Sequence, residues 1–217
     1  MTADYFQALR IPIFQGRAFS ASDNQDLDLT SKLSQPIAPR FPEGCPALAN
    51  RDERMETYCM EVERIGVVSS KPFGEVVAAL EQHVPIADMP VILRMIASRL
   101  SAQEIERAIG GMVGELGFLV LAKLDQGPLV SLLGRSKKMS VYLIGNPVPA
   151  NQMYEQHPAV GLYAPLRASI YEDYEGRSHF SYDRPSGLLE QFDNEEIRAV
   201  ACILDQKMEV LADRLAS

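Results

Sequence analysis

The sequence predicts an α+β fold, one antiparallel sheet with helices on one face, and three observations carry that prediction. The first is a hairpin over 166–182. Arg167, Ser169 and Tyr171 alternate with Leu166, Ala168 and Ile170, and on the return Ser178, Phe180 and Tyr182 share one face, the period of strands with one side buried. Between them Glu172-Asp173-Tyr174-Glu175-Gly176 is a polar turn whose glycine is free to take positive φ. The second is a closing helix with Ile197, Val200, Ala201, Leu204, Met208, Leu211 and Leu215 every three or four residues, a stripe of about six turns that can cover one face of a small sheet. Asp193 is its expected N-cap, with Glu196 reaching back from three residues on. The third is the nearly unbroken apolar run Phe118 to Leu124, which reads as a central strand.

The remaining elements fall between these. Thr57 to Val68 alternates as a strand, and Ser69-Ser70-Lys71-Pro72 ends it and opens a helix buried through Phe73, Val76, Val77 and Leu80. A second helix starts at Asp88 with Pro90 in its first turn and carries Ile92, Leu93, Ile96 and Leu100. Ser101 to Glu104 is a capping box for a third, with Ile105, Ile109, Met112 and Leu116 on one face. Gly127-Pro128 turns the chain, strand Val141 to Ile144 follows, and Gly145-Asn146-Pro147 leads into a short helix over 150–156. After Asp183-Arg184-Pro185-Ser186 the long closing helix is expected directly. Residues 1–54 show no period and carry Pro36, Pro39, Pro42 and Pro46, as an extended linker would. They are expected to lie outside the fold, as the remnant of a fusion or a misplaced start with Met55 the natural initiator. The domain proper is 55–217.

Composition narrows the function classes. Of 217 residues, 47% are hydrophobic and 23% charged, with a formal net charge of −8, ordinary for a globular protein. The longest basic run is Lys137-Lys138, so the basic face that nucleic-acid binding requires is missing and no nucleic-acid partner is expected. Cys45, Cys59 and Cys202 have neither metal-ligand spacing nor an even disulfide framework, and Cys202, between Ala201 and Ile203, reads as a core residue. No apolar run reaches the roughly 18–20 residues of a spanning helix, and no basic-then-apolar leader opens the chain. These features point to the cytoplasm, with no membrane partner.

Two resemblances can be named on particular residues. Asp4-Tyr5-Phe6, Leu9, Ile11-Pro12, Gly16-Arg17 and Phe19 resemble a segment of the extracytoplasmic core domain of macrolide-exporter-type ABC-transporter permeases over 4–24. That activity needs membrane helices and does not carry over. The domain itself rests on Val62 to Leu80, Leu143-Ile144-Gly145-Asn146-Pro147 and Gly161-Leu162-Tyr163-Ala164-Pro165-Leu166. It rests further on Tyr171-Glu172-Asp173 and Ser181-Tyr182-Asp183-Arg184-Pro185-Ser186. Through these blocks, residues 55–216 resemble the domain-of-unknown-function 302 (DUF302) family. The resemblance implies a TBP-like β-α-β4-α antiparallel sheet with helices on one face. The helical pair 88–116 departs from shorter members and is expected as an insertion over one end of the sheet. Where many members carry a cysteine before the asparagine-proline pair, this chain has Gly145, so thiol chemistry does not carry over. The family implies no established activity and no cofactor.

Candidate site residues follow from chemistry at strand ends. Ser181 to Ser186 lies where the last strand meets a helix, and Tyr182, Asp183, Arg184 and Ser186 offer complementary hydrogen-bonding groups. Arg184 can hold a carboxylate bidentately, or it can pair locally and fix the corner; both readings stand open. Asn146 either caps its helix or helps hold an anion at the turn, and the two turns are expected to share one concavity. His83, His157 and His179 lie far apart without ligand spacing, so no metal is expected. The leading reading is a non-catalytic domain binding a small molecule or partner between sheet and helices. The alternatives are an enzyme acting on a small organic anion, with Asp183 and either His179 or Tyr182 as acid–base groups, and a purely structural homodimer. An apolar pocket with few polar atoms would favour the binder, and a titrating group in a polar cleft the enzyme.

Overall fold

The computed structural model describes residues 60–134 and 138–217. The segment 1–54, and residues 57–59 of the expected first strand, lie outside the described residues. In chain order the elements are β1 (Arg64–Ser69), α1 (Phe73–His83), α2 (Met89–Ser98), α3 (Ala102–Gly110), β2 (Leu119–Asp125) and α4 (Gln126–Ser131). They continue with β3 (Met139–Gly145), α5 (Pro147–Gln156), β4 (Leu166–Glu172), β5 (Ser178–Asp183), α6 (Pro185–Leu189) and α7 (Glu195–Ala216). Short 3-10 turns occupy Pro158–Leu162 and Glu190–Phe192. The sheet runs β1-β5-β4-β3-β2 with every neighbour antiparallel, the α+β arrangement that the alternation predicts.

One face of the sheet makes the core. Tyr142, Ile144, Ala168, Ile170, Phe180 and Tyr182 point into it and meet Val76 and Leu80 of α1. From α7 come Ile197, Ala201, Leu204, Met208, Leu211 and Leu215, all buried. Ser69 at the end of β1 donates its hydroxyl to the Leu215 carbonyl, which ties the first strand to the last helix.

Several boundaries differ from the sequence reading, each for a physical reason. Of the described residues in the expected first strand, 60–63 are not in the sheet and the strand begins at Arg64, where its neighbour β5 ends opposite it at Asp183. The run 118–124 forms an edge strand, not a central one. Its first residues are buried because Pro85–Ala87 docks alongside: the Ala87 amide donates to the Val120 carbonyl (2.9 Å) and the Val120 amide to the Pro85 carbonyl (2.9 Å). Further along, Leu124 is 49% exposed. Gly127 and Pro128 lie within α4 rather than in a bare turn, since proline is accepted in a first helical turn. Helix α5 begins at Pro147, three residues earlier than expected, again with prolines in its first turn.

Helix α2 is apolar nearly all round, so period alone does not choose its face: Met95 is buried while Leu93 and Ile96 are exposed. The capping box of α3 forms as the sequence suggests. The closing helix follows α6 and a 3-10 turn rather than the corner directly, and its cap is Asn194, not Asp193. Asp193 ends the preceding turn at φ 43, leaving Asn194 to accept from the amides of Glu196 (2.9 Å) and Ile197 (3.0 Å). Cys202 is exposed, because about 100° per residue carries it off the stripe to which Ala201 belongs.

The β4–β5 turn is held by one carboxylate. Asp173 accepts from the amides of Glu175 and Arg177 (2.9 Å each), from Arg177 Nε (2.9 Å), and lies 2.8 Å from His179 Nε2. Gly176 sits at φ +82, where a side chain would be strained. The His179 ring stacks on Tyr171 with centroids 4.9 Å apart.

Leu211→Ala should cost roughly 2–5 kcal/mol in denaturant titrations through lost burial and the cavity left behind. Gln206→Ala, on the exposed side of the same helix, should stay within about 0.5 kcal/mol. Equal costs would place the wrong face inward. The Asp173 carboxyl is held well below its ordinary value of 3.8, first by the His179 hydrogen bond and then by Arg177. A lowered folded-state value contributes stability that is present above the unfolded value and is lost as pH falls through the folded one. Asp173→Asn should therefore lower the Tm at about pH 7, with the gap to wild type narrowing below about pH 4. A gap that stays constant down to about pH 2.5 would mean that the charge is not what the turn uses.

Candidate functional site

The corner 181–186 is built inward, and most of its groups bind the chain itself. Tyr182 is 4% exposed and packs against Phe180. Burial pushes its hydroxyl up to about 12, and the nearby Glu209 charge adds to this. Asp183 turns the other way and pairs with Arg167 of β4 at 3.1 Å. Arg184 donates from Nε to Glu63 (2.6 Å) and from Nη1 to Glu209 (2.8 Å), with Asp205 at 3.9 Å. Those carboxylates, Glu209 first, raise the guanidinium pKa further. The Ser186 amide donates to Asp205 (3.0 Å). One arginine thus joins the segment before β1, the end of β5 and the middle of α7.

Asn146 caps α5 by accepting from the Val148 amide (3.0 Å), and its own amide donates to the Gly117 carbonyl (2.9 Å). It does not share a concavity with Arg184. Strands β3 and β5 do end on the same side, but β4 lies between them and holds them apart by about two strand spacings, roughly 10 Å. Arg184 lies in a groove of ≈ 730 Å³ with Glu61, Glu63, Arg64, Glu190, Arg198 and Cys202 on its walls. Asn146 lies on the wall of a separate apolar pocket.

That pocket, of ≈ 100 Å³, is formed where β2, β3 and β4 meet α5 and α7. Phe118, Ile144, Met153, Ala164, Leu166 and Leu204 line it, with Gly145 and Pro165 in the wall. A Cβ on Gly145 would come 3.2 Å from the Pro165 Cβ, so the glycine lets this wall close. The polar side chains on the pocket are Asn146 and Tyr154, and the Tyr154 hydroxyl already donates to the Ala164 carbonyl (2.9 Å).

The acid–base groups named from sequence are not brought together. His179 and Asp183 share a face of β5 but stand four residues, about 13 Å, apart, and Tyr182 points to the opposite face. The histidines are separate as well: His83 lies 3.3 Å from Arg214, His157 packs on Phe192, and His179 faces Asp173. Among the described residues no group of three or more His, Cys, Asp or Glu side chains is arranged to hold a metal. No helix there is long and apolar enough to cross a membrane.

Two clusters escaped the sequence reading. The Asp173–His179 contact is one. The other lies at the β2–β3 edge, where Lys123 meets Glu81 (2.9 Å) and Asp125 (3.6 Å), the Tyr142 hydroxyl donates to Glu81 (3.2 Å), and Ser140 donates to Asp125 (2.6 Å). Burial and then the Glu81 charge raise the Tyr142 pKa. Burial alone would lower Lys123, but its ion pairs outweigh that and raise it. The phenol and ammonium therefore keep their protons, and the cluster serves as an ion-pair network. Its one signal in the sequence is Lys123, the single charge inside the run 118–124.

Comparison with known proteins follows the same lines as this geometry. The chain is similar in fold to the crystal structure of an uncharacterized conserved DUF302 protein from Bacillus stearothermophilus, with a TM-score of 0.50 at 16% identity. That likeness covers 70% of this chain and 97% of the other. None of the curated proteins matches, and the permease resemblance of 4–24 finds no support in these comparisons. The family model described as domain of unknown function DUF302 matches residues 94–215. That range leaves out β1 and α1, although β1 completes the same sheet by pairing with β5. With more than half of its length matched in this way, the chain belongs to the DUF302 family.

Proposed function

We propose that this domain is a non-catalytic binder of a small apolar molecule, or of the apolar end of a larger one, seated between the sheet and helices α5 and α7. The observation that carries this reading is the character of the pocket. No carboxylate, histidine, lysine or arginine of the described residues lines it, so it offers a ligand burial and shape rather than proton transfer. Its volume of ≈ 100 Å³ compares with the roughly 150 Å³ of an apolar cavity that takes up benzene. A single ring or a short alkyl chain is the matching class. The exposed Pro147 on its wall leaves room for a polar end outside.

The corner at Arg184 supports the same reading from the other side. Its guanidinium is committed to two carboxylates, and Glu61 and Glu190 line the same groove. A small organic anion would enter against several negative charges.

Two measurements check these statements. Toluene or indole near saturation should raise the Tm of the wild-type protein by mass action, and Ala150→Phe, which fills the pocket, should remove that rise. A wild type whose Tm responds to none of benzene, toluene and indole sinks the binding proposal. Arg184→Lys keeps the charge but not the planar fork that spans Glu63 and Glu209. All three side chains are part-exposed, so the loss should be about 1 kcal/mol, or about 2–4 °C in Tm. A panel of small carboxylates should shift both proteins alike. Stabilisation of the wild type alone by a carboxylate would restore the corner as a ligand site.

A further inference from the structure

The open face of the sheet carries a second feature, independent of the apolar pocket. Register across four strands places Gly66, Ser181, Ser169 and Val141 in one row. The next row begins with Arg64 opposite Asp183, beside Arg167. Small side chains lower the floor while longer ones rise around it, leaving a depression of ≈ 280 Å³ lined by Arg64, Arg167, Ser169, Ser181, Val141 and Met139, with Asp183 at its side.

The floor holds unused polar groups. Ser181 is only 8% exposed, and its hydroxyl has no hydrogen-bond partner among the described residues. A Cβ at Gly66 would lie 3.2 Å from that oxygen, so the glycine keeps the hydroxyl uncovered toward the depression. Ser169 and the Arg64 guanidinium also lack side-chain partners among the described residues. The hydroxyls are reached from the depression, so an incoming acceptor can take the place of water as their partner. Of the charges that line it, Arg167 is paired with Asp183 and Arg64 has no ion-pair partner among the described residues, so the lining carries one more positive than negative charge in a chain of net charge −8.

We infer that this depression is a binding site for a small carboxylate with an apolar body, an aromatic or short-chain acid. The carboxylate accepts from Arg64 and from the Ser181 and Ser169 hydroxyls, and the body lies over Val141 and Met139. At about 30 Å³ of liquid per water, the volume equals about nine waters, which suits a molecule of benzoate size. The apolar side chains favour such an acid over a bare inorganic anion.

The test is a titration of the full chain with sodium benzoate, followed by amide chemical shifts in two-dimensional NMR. Saturable shifts centred on Gly66, Ser169 and Ser181 are expected. Arg64→Gln should weaken binding about tenfold, the scale of one charge-assisted hydrogen bond. Ser181→Ala should weaken it several-fold, and Asp183→Asn should tighten it by removing the competing carboxylate. Arg64 is exposed and Ser181→Ala only removes an oxygen, so both variants should fold, which their Tm values verify. The absence of saturable shifts, or equal affinities for wild type and Arg64→Gln, overturns the site. Inorganic phosphate binding as tightly as benzoate overturns the ligand class. Loss of the benzoate shifts in Ala150→Phe would place benzoate in the apolar pocket and overturn the site as well.

Discussion

Helix α7 closing over one face of the sheet is the contact on which the other features depend. Seven of its side chains, from Ile197 to Leu215, are buried against the core, and each large one is worth about 1.5–3 kcal/mol of removed apolar surface. The same helix supplies Glu209 and Asp205 to the Arg184 corner, Val200 and Leu204 to the apolar pocket, and the Leu215 carbonyl that anchors β1. A shift of α7 would disturb all three at once. The corner and the pocket are therefore properties of one packing arrangement, reached through residues spaced along a single helix.

The elements most legible in the sequence are those whose partners are local or whose period is strict. The hairpin alternation, its glycine turn and the stripe of α7 each depend on neighbours a few residues away or on one repeating interval, and each appears as read. What period could not convey was long-range docking. Phe118 to Val120 is buried as a central strand would be, but the cover on its outer side is the segment Pro85–Ala87, more than thirty residues earlier. Helix α2 offers apolar residues on every side, so its orientation is set by what it meets. At α7 the cap moved one residue because a 3-10 turn places Asp193 at positive φ, a local event with no composition signal.

The candidate site was legible in its chemistry and not in its partners. Arginine at 184 does make the charge-assisted contacts that its type suggests, but with Glu63, 121 residues away, and with Glu209. Asn146 performs the capping role that was one of its two open readings. Ser181 opened the candidate corner without a role of its own, because its meaning comes from register: only when β1 and β4 flank β5 does a small hydroxyl fall in a row with Gly66 and Ser169. Asp173 and His179 were both visible in the hairpin, yet their contact depends on the turn closing with the His179 side chain on the open face beside Tyr171.

Charge placement explains why Arg184 and Arg64, both at this end of the sheet, differ in availability. Arg184 enters a groove with Glu61, Glu63 and Glu190 on its walls and with Asp205 and Glu209 of α7 close by. Within a few ångströms it is outnumbered, and its fixed geometry lets it span two of those carboxylates at once. Such a group rigidifies a corner, and an added anion would have to displace a partner already held by the fold. Arg64 stands opposite Asp183 across β1 and β5, and that carboxylate is already bonded to Arg167. A cation and two hydroxyls without side-chain partners among the described residues have hydrogen bonds still to make. In an acidic chain, the location of positive charge matters less than whether that charge has already been matched, and among the described residues Arg64 has no ion-pair partner while Arg184 has two.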